Sequence, residues 1–377
     1  MLLSCSHDRN CYVWSRCDSG TGSSSSGSGS SSGGSGNGAN TWSPSLVVLR
    51  LNRAVTCGSW SPDERKFAVG SGAKSVSVCY YEPENNWYVS KLIKKKHQST
   101  ITDVKWHKSG SLLATTSTDG KVRVFTAFIR GVDDKDDGNV SGRHHYLPPL
   151  MSSMKSAKEH FGECVYELDF GNSRAWMHGV SWSPSGSALV AVSHGSCIYH
   201  ISGFDVGEAR GSDSAEIMNT IKKLVKVEKI AHKGLPYTNV LFLSENCFVA
   251  AGYDYVPVLY SCKSASGSTT WEQERVLTGA KQERKENKNF GAALARFKAQ
   301  DDLGINNENS SKTISDTNSN ASDPHSNTIT CIKAVTQIKT GADSEEIACF
   351  STSGDDGKLV IWTTAKGVDA KMRKLAI

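Results

Sequence analysis

The sequence predicts an all-β chain folded as a β-propeller, and three observations predict it. An eight-residue tail with an acidic residue six places before a bulky aromatic recurs as HDRNCYVW (7–14), TDGKVRVF (118–125), YDYVPVLY (253–260) and DDGKLVIW (355–362). A second element recurs as TCGSWSPDERKFAVGS (56–71), TDVKWHKSGSLLATTS (102–117), HGVSWSPSGSALVAVS (178–193) and NVLFLSENCFVAAG (239–252). The copies return at a period of roughly 40–60 residues, the repeat length of a propeller blade.

In the tails, Asp8 pairs in spacing with Trp14, Asp119 with Phe125, Asp254 with Tyr260 and Asp356 with Trp362. Two degenerate copies put Lys74 before Tyr80 and Gly195 before Ile201. Each tail reads as a tight acidic or glycine turn opening a short strand. Alternation predicts Val122, Val124, Leu359 and Ile361 as its inward side chains. In the second element, Trp60, Trp106, Trp182 and Phe242 end one strand. A polar turn follows, and Phe67, Leu113, Leu189 and Phe248 lie in the next strand. Leu2 and Leu3 stand where the second strand of a blade belongs, so this reading expects a propeller that is N-terminally incomplete, with residues 1–377 as one domain.

Three segments do not read as blades. Residues 19–40 are almost pure Ser and Gly and predict a flexible inter-blade loop. Residues 127–160 predict a second inter-blade loop, whose His144 and His145 lack any companion at metal-ligand spacing. Residues 262–328 predict an insert that presents an amphipathic helix. Within it Phe290, Leu294 and Phe297 form one apolar helical stripe, and residues 281–300 carry a net charge of +4. Gly291 weakens that helix by roughly 0.5–1 kcal/mol relative to alanine, which suits an element that orders on contact.

Composition excludes several classes. A formal charge of +5 over 377 residues is mildly basic and is not that of a dedicated nucleic-acid binder. No apolar run approaches the roughly 20 residues of a membrane span, and the first residues are too short for a secretory signal. The 11 cysteines include no CxxC pair and read as reduced, mostly core residues of a cytosolic chain. The sequence shows no phosphate-binding glycine loop, HExxH or GxSxG, so it predicts neither an enzyme nor a cofactor or metal site. The turn aspartates serve hairpin geometry, and His97 with Asp103 is expected to join a hydrogen-bond network within a blade.

With those residues in view, the chain resembles the WD-repeat subunit 1 family of the actin-related protein 2/3 complex. The resembling segments include DRNCYVW (8–14), WSPSLVVLRLNRAVTCGSWSPDERKFAVGSG (42–72), CYYEPENNWYVSKLIKK (79–95) and STSGDDGKLVIW (351–362). The resemblance implies a seven-bladed β-propeller of WD repeats that works in the cytoplasm and cytoskeleton as a non-catalytic scaffold. Its implied partners are the other subunits of the complex, the actin filament and nucleation-promoting factors, with no nucleic acid and no membrane insertion. The family's protruding helix, in the insert before the last blade, implies partner contacts at Phe290, Leu294, Arg296 and Phe297. Asp8, Trp14, Trp60, Trp106, Asp119, Trp182, Asp254, Asp356 and Trp362 are the expected blade-organising residues. The alternative reading is a generic WD-repeat adaptor of another assembly.

Overall fold

The computed structural model describes residues 1–17, 41–133, 161–170, 175–204, 223–265, 268–277, 324–339 and 345–363. They form six antiparallel sheets. Sheet one holds β1 (Leu2–Cys5), β2 (Cys11–Cys17) and β3 (Thr41–Val47), and sheet two holds β4 (Val55–Trp60), β5 (Lys66–Ser71), β6 (Val76–Glu82) and β7 (Trp87–Ile93). Sheet three is β8 (Ile101–Trp106), β9 (Leu112–Ser117), β10 (Lys121–Thr126) and β11 (Cys164–Asp169). Sheet four is β12 (Met177–Trp182), β13 (Ala188–Ser193), β14 (Cys197–Ser202) and β15 (Lys226–Ala231). Sheet five is β16 (Tyr237–Ser244), β17 (Cys247–Gly252), β18 (Val258–Ala265) and β19 (Ser268–Val276). Sheet six is β20 (Ile329–Lys339), β21 (Glu345–Gly354) and β22 (Leu359–Thr363). This is an all-β WD-repeat propeller, and six sheets fit within a seven-bladed ring.

The acidic turns explain the repeat. Asp8, Asp119 and Asp356 each accept the backbone N–H two residues on, from Asn10, Lys121 and Lys358, at 2.9, 3.1 and 3.1 Å. The residue between takes the left-handed conformation, with φ of 76° at Arg9, 79° at Gly120 and 69° at Gly357. A carboxylate that reaches its own chain two residues later fixes such a turn, and glycine occupies the left-handed place without strain. Ser196 and Tyr255 hold the same place with φ of 52° and 63°.

Five hydrophobic clusters fill the five seams between successive sheets. Val13 and Val47 pack with Phe67 and Val69 across the first seam. Leu243, Val249 and Leu259 pack with Phe350, Val360 and Trp362 across the last. Strands caught between two seams are buried on both faces, as in β9, β13 and β5. Direct pairs join Trp60 to Phe67, Trp106 to Leu113, Trp182 to Leu189 and Phe242 to Phe248, as the second repeat element requires.

Five expectations need correction. In β10, Val122 and Val124 are buried, but Arg123 and Phe125 are buried as well, because sheet three has a neighbour on each side. In β22 the phase is reversed: Val360 and Trp362 are buried, whereas Leu359 is exposed and Ile361 half-buried. The even positions face sheet five, and no hydrophobic cluster covers the other face among the described residues. The Ser/Gly tract 19–40 is not an inter-blade loop, since β2 and β3 on either side of it pair directly, from Cys11 with Val47 to Cys17 with Thr41. Likewise residues 127–160 connect β10 to β11 inside sheet three. The insert assigned to 262–328 starts late, because β18 and β19 carry the sheet to Val276. Its helix lies outside the described residues.

Candidate partner-binding surfaces

In sheet six, His325 Nδ1 lies 3.2 Å from Asp356 Oδ1, and its Nε2 lies 2.8 Å from Thr352 Oγ1. Trp362 Nε1 donates to the same hydroxyl at 2.9 Å. Asp356 Oδ2 also accepts the Ser326 N–H at 2.9 Å, tying the approach to β20 onto the β21–β22 turn. Asp119 and Asp254 make the same tie, to the N–H groups of Gln98 and Leu235, each at 2.9 Å. The expected aspartates thus link two loops of one sheet, a job the spacing alone did not reveal.

Sheet three varies the network with a cation. Arg123 Nη1 meets Asp119 at 2.9 Å and His97 Nδ1 at 3.0 Å, and Arg123 Nε meets Glu167 at 2.8 Å. Burial, followed by the Arg123 charge, pushes His97 down to about 4. A neutral imidazole can therefore accept from the guanidinium. His97 joins the network as expected. Asp103 does not: its Oδ2 accepts the Val180 N–H of sheet four at 3.2 Å, crossing a seam.

Other bonds cross the seams at equivalent places. Trp106 Nε1 donates to Ser59 O at 3.0 Å and Trp182 Nε1 to Lys105 O at 3.1 Å, each reaching the preceding sheet. The hydroxyls of Thr56, Thr102 and Thr238 donate forward to Ile101, Met177 and Ile329 carbonyls at 2.6, 2.7 and 2.7 Å. Thr56, Thr102 and Thr238 each stand four residues before the aromatic, a signal visible once the repeats are aligned. A buried ion pair had no such signal. Lys66 Nζ is 2.7 Å from Asp133 Oδ2 and 3.0 Å from the carbonyls of Gly110 and Ala127, with its charge over the Trp106 ring. Burial pushes Lys66 down and Asp133 up, against their mutual attraction.

Two concave regions stand on this frame. One, of about 450 Å³, is lined by residues of β4, β8, β12, β16 and β20, so the innermost strands of five sheets converge on a common channel. The other is an outer groove of about 430 Å³ between sheets one and two, lined by Leu46, Tyr81, Trp87 and Tyr88. Trp87 closes the β6–β7 hairpin opposite Glu82 and is 57% exposed. Among the described residues no group of three His, Cys, Asp or Glu side chains is placed to hold a metal ion, and no helix is long and apolar enough to cross a membrane.

Of the expected site residues, Asp119 and Asp356 sit in complete loop-to-loop networks and Trp362 in the buried heart of one. Asp254 meets His232 at 3.4 Å, Trp106 and Trp182 bond across seams, and Trp60 packs on Phe67. Asp8 bonds within its own turn, to Ser6, Arg9 and Asn10, and Trp14 donates to Ser4 and packs on Tyr12. Phe290, Leu294, Arg296 and Phe297 lie outside the described residues.

Radial sheets with loop-clamping aspartates and bonded seams define a WD-repeat propeller protein. The WD domain, G-beta repeat family matches residues 89–126. Over the longer span, the chain is 38% identical to actin-related protein 2/3 complex subunit 1A of Arabidopsis thaliana, covering 96% of this chain and 78% of that protein. It is 35% identical to subunit 1A-A of the Xenopus laevis complex, again over 96% and 78%. Against subunit 1 of Saccharomyces cerevisiae the identity is 32%, over 96% and 80%. The chain belongs to the actin-related protein 2/3 complex subunit 1 family.

Proposed function

We infer that this chain is a non-catalytic scaffold subunit of the actin-related protein 2/3 complex, acting in the cytoplasm and cytoskeleton beside the other subunits and actin. The observation that carries this reading is family membership over 96% of the chain, on a frame clamped at Asp119, Asp254 and Asp356. Its contribution is geometric. Holding partners in one arrangement removes association entropy that each encounter would otherwise cost, so the complex can present a filament-like arrangement without covalent chemistry. Affinity purification of the tagged full chain from cytosolic extract tests this. Recovery of actin-related proteins in a stoichiometric assembly is expected, and their absence under mild conditions would overturn the reading.

Within that function, the stripe at Phe290, Leu294 and Phe297 with Arg296 is the proposed contact to the filament side and to nucleation-promoting factors. An apolar stripe with a net charge of +4 over residues 281–300 suits an acidic surface with an apolar cleft. Leu294→Ala with Phe297→Ala is expected to leave assembly intact and to weaken filament binding of the assembled complex. Unchanged co-sedimentation with filaments would remove the stripe from the mechanism.

A further inference from the structure

We propose that the central channel holds an oxyanion site, taking a phosphate group between the ammonium groups of Lys105 and Lys333. The two lysines come from β8 and β20, in different sheets, and line the same cavity of about 450 Å³. That volume lies within the range of small-molecule sites.

Several other polar groups of the cavity are committed. The hydroxyls of Thr56, Thr102 and Thr238 donate to carbonyls of the next sheet. Asn239 Nδ2 donates to Thr330 O at 2.8 Å and to Thr238 Oγ1 at 3.0 Å. Asp103 is the one carboxylate among the described lining residues. Its Oδ2 is taken by Val180 N–H, and its Oδ1 by Val104 N–H at 2.9 Å and Lys105 Nζ at 3.4 Å. Lys333 has no ion-pair partner among the described residues.

The cavity is therefore left with one surplus positive charge and a free set of ammonium donors. The charge of Lys105, then burial, pushes Lys333 below the ordinary lysine value, so the two feel one another across the channel. An anion between them would replace repulsion with two attractions. Phosphate suits the geometry better than carboxylate. Lysine engages it as a point charge without the planar fork that favours carboxylate at arginine, and a tetrahedral group offers separate oxygens to donors on two strands. The thiols of Cys57 and Cys331 add weak donors at the same wall.

The group could arrive as free phosphate or on a phosphorylated side chain. Calorimetric titration of the purified full chain with inorganic phosphate, at ionic strength held constant with chloride, is the first arm. A phosphoserine peptide and its unphosphorylated form are the second. Saturable phosphate binding that weakens at least tenfold in Lys333→Gln and persists in Lys333→Arg supports the site. Tighter binding of the phosphopeptide assigns the group to a side chain, and equal binding assigns it to free phosphate. Lys333 makes no ion pair among the described residues, so its replacement should not lower the thermal midpoint measured without phosphate. No saturable binding of either probe, or equal binding by wild type and Lys333→Gln, would overturn the proposal.

Discussion

Sheet six and sheet one carry the same tail, an aspartate six residues before a tryptophan, and use it differently. In sheet six, Asp356, His325, Thr352 and Trp362 form one chain of bonds, and His325, Thr352 and Trp362 are at most 1% exposed. In sheet one, Asp8 is exposed and bonds only within its own turn, to Ser6, Arg9 and Asn10, while Trp14 donates to Ser4 at 2.8 Å. No strand pairs with the free edge of β1 among the described residues, so no loop entering such a strand brings a histidine to Asp8. The motif alone builds a turn. It builds a clamp only when the loop before an innermost strand delivers partners into it.

The largest expected effect is therefore in sheet six. His325→Ala removes one bond from the Thr352 hydroxyl and a charge-assisted one from the Asp356 carboxylate, about 0.5–1.5 and about 1.5–3 kcal/mol, and leaves a cavity where a buried imidazole stood. A fall of that size in unfolding free energy, read from urea denaturation, is expected. A loss no larger than that of Ser4→Ala in sheet one would erase the contrast.

Acid sharpens the same point. Burial raises the Asp356 carboxyl, but the N–H groups of Ser326 and Lys358, with His325, outweigh it and hold the group well below its ordinary 3.8. The unfolded chain takes up that proton first, so the stabilisation is complete above about pH 4 and is lost as pH falls through the lower folded value. Wild type and Asp356→Asn should thus differ in urea midpoint at pH 6, and the difference should begin to shrink as pH falls below about 4. A constant separation across that range would show that the carboxylate charge is not what stabilises the clamp.

Much of this frame was legible in the sequence because each repeat expresses a local rule. An aspartate that bonds the N–H two residues on, and an aromatic that ends a strand, leave marks at fixed spacing. Partners drawn from far along the chain leave none. Lys66 and Asp133 are 67 residues apart, and nothing at either position signals the other. The loops at 19–40 and 127–160 were placed between blades because the pairing of β2 with β3, and of β10 with β11, is a long-range fact. The reversed phase of β22 has a similar cause. Alternation tells that two faces differ, and only the neighbouring sheet decides which one is buried. Of the candidate surfaces, the helical stripe was visible as periodicity, whereas the channel lysines meet only when five sheets converge.

The smallest expected effect isolates the free edge of sheet one. Trp106 and Trp182 each donate an indole N–H to the preceding sheet, to the residue just before its own inner-strand aromatic. Trp60 occupies the equivalent place in sheet two, and its Nε1 is buried with no acceptor. Replacing any of these tryptophans by phenylalanine removes nearly the same ring area. In Trp106→Phe it also removes a bond to the Ser59 carbonyl, whereas in Trp60→Phe it removes a donor that was already unpaired. Trp106→Phe should consequently cost about 0.5–1.5 kcal/mol more than Trp60→Phe, the net size of one hydrogen bond. Equal costs would mean that Trp60 already finds an acceptor in solution, and sheet one would then meet sheet two as fully as the other sheets meet their neighbours.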